Sequence, residues 1–216
     1  MIEEKLSPYG FKALGVFTVE ADDLVPVEGG VSAVLVGNYG GEMFERYAAD
    51  RDPLTQTMDE WTEQVIGQIA KELKATALYP FSKPHLPFQR WARRAHAGRQ
   101  SPLGLNIHPV YGMWHGYRAF LIFDHEVDLN ITPADEHPCF GCEDTPCLTA
   151  CPVEAFDGVQ HDVDKCGAFL MKVSSLDCHN KGCASRLACP IGSEYRYTAE
   201  QMQFHMTAFS NSVWGR

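Results

Sequence analysis

Eight cysteines fall between residues 139 and 189, and none precedes them. A disulfide framework would spread its staples over the loops of a whole small fold. Here the thiols crowd one 51-residue segment of a 216-residue chain, and in a reducing compartment such crowding points to metal. The first group, Cys139, Cys142, Cys147 and Cys151, reads C-x2-C-x4-C-x3-C-P; the second, Cys166, Cys178, Cys183 and Cys189, reads C-x11-C-x4-C-x5-C-P. Ferredoxins with two clusters use runs that end in Cys-Pro, and the fourth cysteine of each run ligates the other cluster. A four-iron cube needs thiolates arriving at its corners from a loop that curls around it, and short gaps allow that curl. The proline after Cys151 redirects the chain, so "PVEAFDG" at 152–158 is expected to open a short helix.

Zinc is the competing reading, since structural zinc sites favour two separated C-x2-C pairs around one tetrahedral ion. Only one C-x2-C pair is present, which favours two iron–sulfur clusters over zinc alone or over one cluster with a zinc or free thiols. His137, His161 and His179 lie near the cysteines and could each replace a thiolate, but eight cysteines already suffice for two cubes.

Composition narrows the function further. The net charge of −10 and a pI near 5.3 leave no basic footprint for nucleic acid, so a small molecule or a protein is the expected partner. The opening "MIEEKLSPYGFKALGVF" is acidic and reads as no secretory signal. No apolar run approaches the roughly 18 residues of a membrane span; no membrane partner is expected, and the location expected is cytoplasmic. Between residues 131 and 190, nine Asp and Glu face four Lys and Arg. That excess reads as a solvated surface or as an acidic face for docking a redox partner.

Ahead of the cysteines the pattern is that of an α/β domain. Strands are expected at 11–20 and 32–37, a helix at 41–49, and the clearest helix at 56–74, where Trp61, Val65, Ile66, Ile69, Ala70 and Leu73 recur at helical spacing. "TALYPF" at 76–81 reads as another strand, and "FQRWARRAHA" as a short basic helix ending at Gly98. "LNIHPVYGMWHGYRAFLIFD" at 105–124 suggests two strands joined through a Pro/Gly turn as a hairpin. "DLNITPADEHP" is the expected boundary, which gives domains at 1–130 and 131–216.

The stretch from "FQRWARRAHAGRQSPLG" through "NIHPVYGMWHGYRAFLIFDHEVDL" to the cysteine run and "CPVEAF" resembles the epoxyqueuosine reductase family over roughly residues 85–190. "DVDKCGAFLMK" is similar to that family's single cysteine between the two runs. The resemblance implies a nitroreductase-like α/β (α+β) domain that binds cobalamin, followed by a ferredoxin-like module with two 4Fe-4S clusters. It implies one cluster on Cys139, Cys142, Cys147 and Cys189, and the other on Cys151, Cys166, Cys178 and Cys183. "RYAADRDPL" places Asp52 where that family has its catalytic aspartate, though without the family's glycine. The chain ends before the helical repeats with which many such reductases grip transfer RNA, so no nucleic-acid partner is expected. "NIHPVYGMWHGYRA" and "PLTQTMDEWTEQVI" are also similar to segments of the cobalamin-trafficking reductases that strip upper ligands from vitamin B12.

Among the remaining residues, Arg94, with Arg90, Arg93 and Arg99 around Trp91, could hold a phosphate or a corrinoid side chain. The plainer reading anchors Trp91 in a core and leaves the arginines solvated or paired. His108, Tyr111, Trp114, His115 and Tyr117 either line a flat cofactor or form an aromatic patch with polar tips. The expected function is therefore an iron–sulfur oxidoreductase in which two clusters feed electrons to a corrinoid or, second, a flavin. An electron-donor protein of the flavodoxin or ferredoxin-reductase type would supply them. The competing reading is a ferredoxin-type electron carrier with no catalytic pocket of its own.

Overall fold

The computed structural model describes residues 2–52, 54–131, 137–172 and 176–214. They divide into two compact units: residues up to Gly98 together with His115 to Ile131, and Arg99–Trp114 together with the residues from His137 onward. Sequence placed 99–114 in the first domain; it groups instead with the cysteine-bearing half. The expected boundary at 128–138 lies partly outside the described residues, as do Asp135 and Glu136 of the acidic stretch.

The first unit is built on a four-stranded antiparallel sheet. In chain order its members are β1 (Lys12–Thr18), β2 (Ser32–Tyr39), β3 (Thr76–Leu78) and a long strand His115–Phe123. That last strand is called β6, because the two-residue strands β4 (Arg99–Gln100) and β5 (Asn106–Ile107) precede it in the chain. The sheet order is β1-β2-β6-β3. β2 is buried along nearly its whole length and the second half of β6 is fully buried, so the segments 33–36 and 119–123 are continuous apolar runs rather than alternating ones. The helices of this unit are α1 (Ile2–Leu6), α2 (Glu42–Asp50), α3 (Met58–Leu73) and α4 (Phe88–Arg94).

α3 forms where the 3.6-residue stripe was legible, and its ends explain its bounds. Thr57 accepts from the Glu60 N–H while Glu60 accepts from the Thr57 N–H, a reciprocal cap that satisfies two orphan donors. Lys74 then ends the helix in a left-handed conformation. The stripe buries Trp61, Val65, Ile66, Ile69 and Ala70. In a second cluster, α4 sets Trp91 edge-on to Phe120 of β6 at 5.6 Å and 89°. The Trp91 indole N–H donates to the Asp23 carbonyl at 2.8 Å, so its polar handle is satisfied inside the core.

In the second unit β4 pairs with β5, and His108 bridges Gly112. The expected hairpin over 105–124 is therefore not formed: β5 turns back onto β4, while β6 pairs with β2 and β3. The helices here are short, α5 (Pro146–Thr149), α6 (Val163–Leu170), α7 (Leu176–Lys181) and α8 (Ala184–Ala188), followed by the longer α9 (Ala199–Trp214). The helix expected at 152–158 is absent as well. Glu154 and Gly158 take positive φ, and the Asp157 carboxylate accepts from the Val159 and Gln160 N–H groups, which closes a turn instead. α6 begins only after Asp162, whose side chain caps the Lys165 N–H at 2.9 Å.

Trp91 is fully buried and carries both a hydrogen bond and ring contacts. Trp91→Ala is expected to cost about 3–5 kcal/mol, and Trp91→Phe less. Urea unfolding of the two variants beside the parent measures this directly.

Candidate metal centre

Cys139 and Cys142 sit on a turn, Cys147 in α5, and Cys189 just past α8. All four line one apolar cavity, whose walls include Pro102, Ile107, Met113 and Ile191. Cys189 is itself a core residue, packed with Leu103, Ile107 and Met113. Burial pushes the Cys139 thiol up to about 11, and the neighbouring Cys189, Cys147 and Cys142 push in the same direction. Cys147 is raised by burial, then by Cys189 and Cys142. Cys189 is raised by burial, against the N–H of Ile191, and by Cys142.

The other four follow the same logic. Cys166 lies in α6, Cys178 in α7, Cys183 immediately before α8, and Cys151 after α5. Burial takes the Cys166 thiol to about 12, reinforced by Cys183, Cys151 and Cys178. Cys178 is raised by burial and then by Cys183, with Cys151 further down. Burial raises Cys183 against the opposing N–H groups of Arg186 and Ser185 at the start of α8. The Ala155 N–H donates to the Cys151 sulfur at 3.3 Å. Each shifted thiol thus feels members of its own foursome, and the foursomes are Cys139, Cys142, Cys147, Cys189 and Cys151, Cys166, Cys178, Cys183.

This donor set suits a cationic group. Half-buried thiols with N–H donors aimed at sulfur resist ionisation alone and ionise readily once a metal supplies positive charge. Among the described residues, no three His, Cys, Asp or Glu side chains converge closely enough to hold a single ion.

Residues 99–114 hold the loop that carries Cys189. A Cβ on Gly112 would meet the Ile191 carbonyl oxygen at 2.0 Å, and one on Gly192 would meet the Tyr111 carbonyl carbon at 2.3 Å. Both glycines have positive φ, so the two backbones interlock where side chains have no room. His108 stacks on Tyr111 at 4.3 Å, and its Nδ1 accepts from the Val110 and Tyr111 N–H groups. Burial pulls its pKa down to about 4. Tyr111 meets Tyr195 edge to face at 5.0 Å.

Of the residues read as cofactor-binding, His108, Tyr111 and Trp114 belong to the second unit and Arg94, His115 and Tyr117 to the first. Trp114 is 1% exposed and packs against Tyr197 and Arg186. Arg94 spends its fork on Asp23 at 3.0 Å and Glu20 at 3.3 Å, over the Phe17 ring, which is the paired arrangement of the plainer reading. His115 Nε2 lies 3.2 Å from the Tyr117 hydroxyl, which donates to the Ala97 carbonyl. Asp52 is exposed, its carboxylate accepting from the Leu54 N–H at 2.9 Å. That bond, then the Thr55 side chain, keeps its pKa low, so at neutral pH it is an ionised acceptor closing a turn. Sequence reasoning gave no role to Gly112, Gly192, Arg186 or Tyr197. The Gly residues carried a signal only in retrospect, as the flexible points of segments flanking Tyr111 and Cys189.

Gly112→Ala is expected to force the two loops apart and cost about 1–3 kcal/mol, seen as a lower thermal midpoint of the protein. For His108 the folded pKa of about 4 lies below the unfolded value of 6.5. Its neutral ring therefore contributes stability in full above pH 6.5 that drains away as pH falls toward about 4. Stability measured against pH should fall less steeply across that window in His108→Gln than in the parent.

No family model matches the sequence, and no curated protein matches it. Solved structures do. Epoxyqueuosine reductase from Streptococcus thermophilus aligns over 88% of this chain and 65% of its own at 16% identity, with a TM-score of 0.56. The Bacillus subtilis enzyme aligns over 91% and 66% at 15% identity, with a TM-score of 0.52. The B12-trafficking protein CblC of C. elegans aligns over 98% and 92% at 14% identity, with a TM-score of 0.52. The chain spans about two thirds of the length of the reductases. Over most of its length it is structurally similar to epoxyqueuosine reductase and to a B12-trafficking protein, and at these identities the likeness is one of fold.

Proposed function

We propose that the protein is an iron–sulfur redox protein holding two 4Fe-4S clusters, one on Cys139, Cys142, Cys147 and Cys189 and one on Cys151, Cys166, Cys178 and Cys183. The observation that carries this reading is the convergence of Cys139, Cys142, Cys147 and Cys189 on one apolar cavity, with the other four thiols in the same unit. Bound there, such groups supply one-electron transfer at potentials set by burial and by hydrogen bonds to sulfur. The chain's part is to exclude water with Ile107, Met113 and Ile191 around the first foursome, and to direct backbone N–H groups at Cys151 and Cys183.

The electron acceptor in this reading is a corrinoid held by the first unit. The fold shared with a protein that traffics B12 supports it. A donor of the flavodoxin or ferredoxin-reductase type would supply electrons in the cytoplasm, where thiols stay reduced. Among the described residues no helix is long and apolar enough to cross a membrane.

A second reading, an electron carrier without a pocket of its own, draws on the commitment of Arg94 to Asp23 and Glu20 and on the burial of Trp114. An anaerobic assay of iron and sulfide, with a visible spectrum before and after hydroxocobalamin, separates the two. About eight irons and eight sulfides per chain with a spectral shift support the corrinoid reductase; the same content without a shift supports the carrier. Zinc in place of iron would overturn both. Cys147→Ser and Cys166→Ser are each expected to lose about half of the iron and sulfide and to destabilise the second unit, because metal bonds carry much of its folding energy. Undiminished iron in either variant would refute its ligand assignment.

A further inference from the structure

Phe140 is 88% exposed, in the turn that carries Cys139 and Cys142. A single exposed apolar side chain is ordinary on a protein surface; this one differs in being held. The Phe140 N–H donates to the His137 carbonyl and the Cys142 N–H to the Cys139 carbonyl, each at 3.1 Å, which closes the turn. The His137 ring stacks on the Phe140 ring at 4.7 Å and 22°. His137 is itself pinned at both nitrogens: Nδ1 accepts from the Cys139 N–H at 3.3 Å, which leaves Nε2 to donate to the Gln100 carbonyl at 3.1 Å. An aromatic ring already fixed in one pose loses little freedom on docking, so it suits an interface anchor.

The same turn carries negative charge. Glu143 and Asp144 directly follow Cys142 and are exposed, and among the described residues no ion pair holds either carboxylate. With the whole chain at −10, a partner presenting an acidic face is repelled and one presenting a basic face is steered in. An apolar anchor beside a charged rim is the ordinary anatomy of a protein interface. Cys139 and Cys142, on either side of Phe140 and Gly141, line the apolar cavity together with Cys147 and Cys189. A partner seated on Phe140 is therefore brought to that set of thiols.

We propose that the turn at Phe140, with Glu143 and Asp144, is the docking surface for a one-electron carrier protein whose own face is basic, with an apolar recess for the ring. The proposal rests on the cluster reading above and narrows the donor, since a carrier with an acidic docking face does not fit. One electron passes from the partner, which is oxidised by one, to the first set of four thiols and what they hold, which is reduced by one; no bond or proton moves. Phe140, Glu143 and Asp144 recognise the partner and take no part in the transfer.

Iron and sulfide are assayed first, and a parent without them sinks the cluster reading whatever the docking result. Docking is then read by anaerobic titration calorimetry of the full chain with cytochrome c, a basic one-electron carrier, and with flavodoxin, an acidic one. Each is measured at low salt and at about 0.2 M, where the Debye length falls below about 10 Å. Phe140→Ala is expected to weaken cytochrome c binding about tenfold at both salt concentrations, and Phe140→Leu, which keeps an apolar side chain, by less. Glu143→Lys together with Asp144→Lys is expected to weaken it about tenfold at low salt and little at high salt. Glu154→Lys together with Asp164→Lys makes the same change of charge on another exposed acidic stretch and is expected to leave binding within about twofold of the parent. All of these variants are expected to keep the parent's iron; should Phe140→Ala alone lose it, Phe140→Leu and the Glu143, Asp144 pair decide. Unchanged binding in Phe140→Ala, equal weakening by the two lysine pairs, tighter binding of flavodoxin than of cytochrome c, or loss of iron from both Phe140→Ala and the Glu143, Asp144 pair would each overturn the proposal.

Discussion

Thiols buried beside other thiols resist becoming anions, and the second unit is organised around that resistance. Burial raises Cys139, Cys147, Cys166, Cys178, Cys183 and Cys189, and neighbouring thiols add to it. The apolar core beside them is small: Leu103, Ile107 and Met113 pack against Cys189 itself, so that thiol doubles as a core residue. A unit assembled in this way suits a bound cationic group, which would turn repelling donors into bonded ones. Short helices follow from the same constraint. α5, α7 and α8 are too short to persist on propensity, and each carries or is flanked by one or two of the thiols.

The first unit is stabilised by ordinary means. β2 and β6 are central and apolar, α3 is capped at both ends, and Trp91 ties α4 to the 3-10 turn at Ala21–Asp23 through one hydrogen bond. Its arginines are spent on structure. Arg90 and Arg94 both reach the same turn, through the Asp23 carbonyl and the Asp23 carboxylate respectively. That shared anchor explains why a basic helix with a central tryptophan appears in an acidic chain, without requiring an anionic ligand.

Much of this was legible before any coordinates. The stripe from Trp61 to Ala70 gave α3, because a 3.6-residue period over sixteen residues has few other solutions. Cysteine count and the two Cys-Pro ends gave the foursomes only with help from a family resemblance, since spacing does not specify pairing. The failures were local signals that a different partner outcompeted. "NIHPVYGMWHG" contains a Pro/Gly turn and looks like a hairpin, yet Asn106–Ile107 finds its partner behind it at Arg99–Gln100. "PVEAFDG" starts like a helix, but Asp157 offers its carboxylate to the next N–H groups and competes successfully. α9 went unread because the residues it buries include Gln201 and Ser210, which break an apolar stripe.

The residues that distinguish the two foursomes were the least legible of all. Arg186 is unremarkable in "ASRLACP"; only the fold brings Met113, Trp114 and Tyr197 to it. The two sets of thiols are alike in number and chemistry, and they differ in what surrounds them. Around Cys189 the surroundings are apolar walls, the Ile191 N–H and an exposed arginine; at Cys183 they are two N–H groups and a guanidinium flanked by Trp114 and Tyr197. The difference lies in the side chains of α8 and of the segment ending at Trp114 rather than in the cysteines, which is why cysteine spacing alone could not show it.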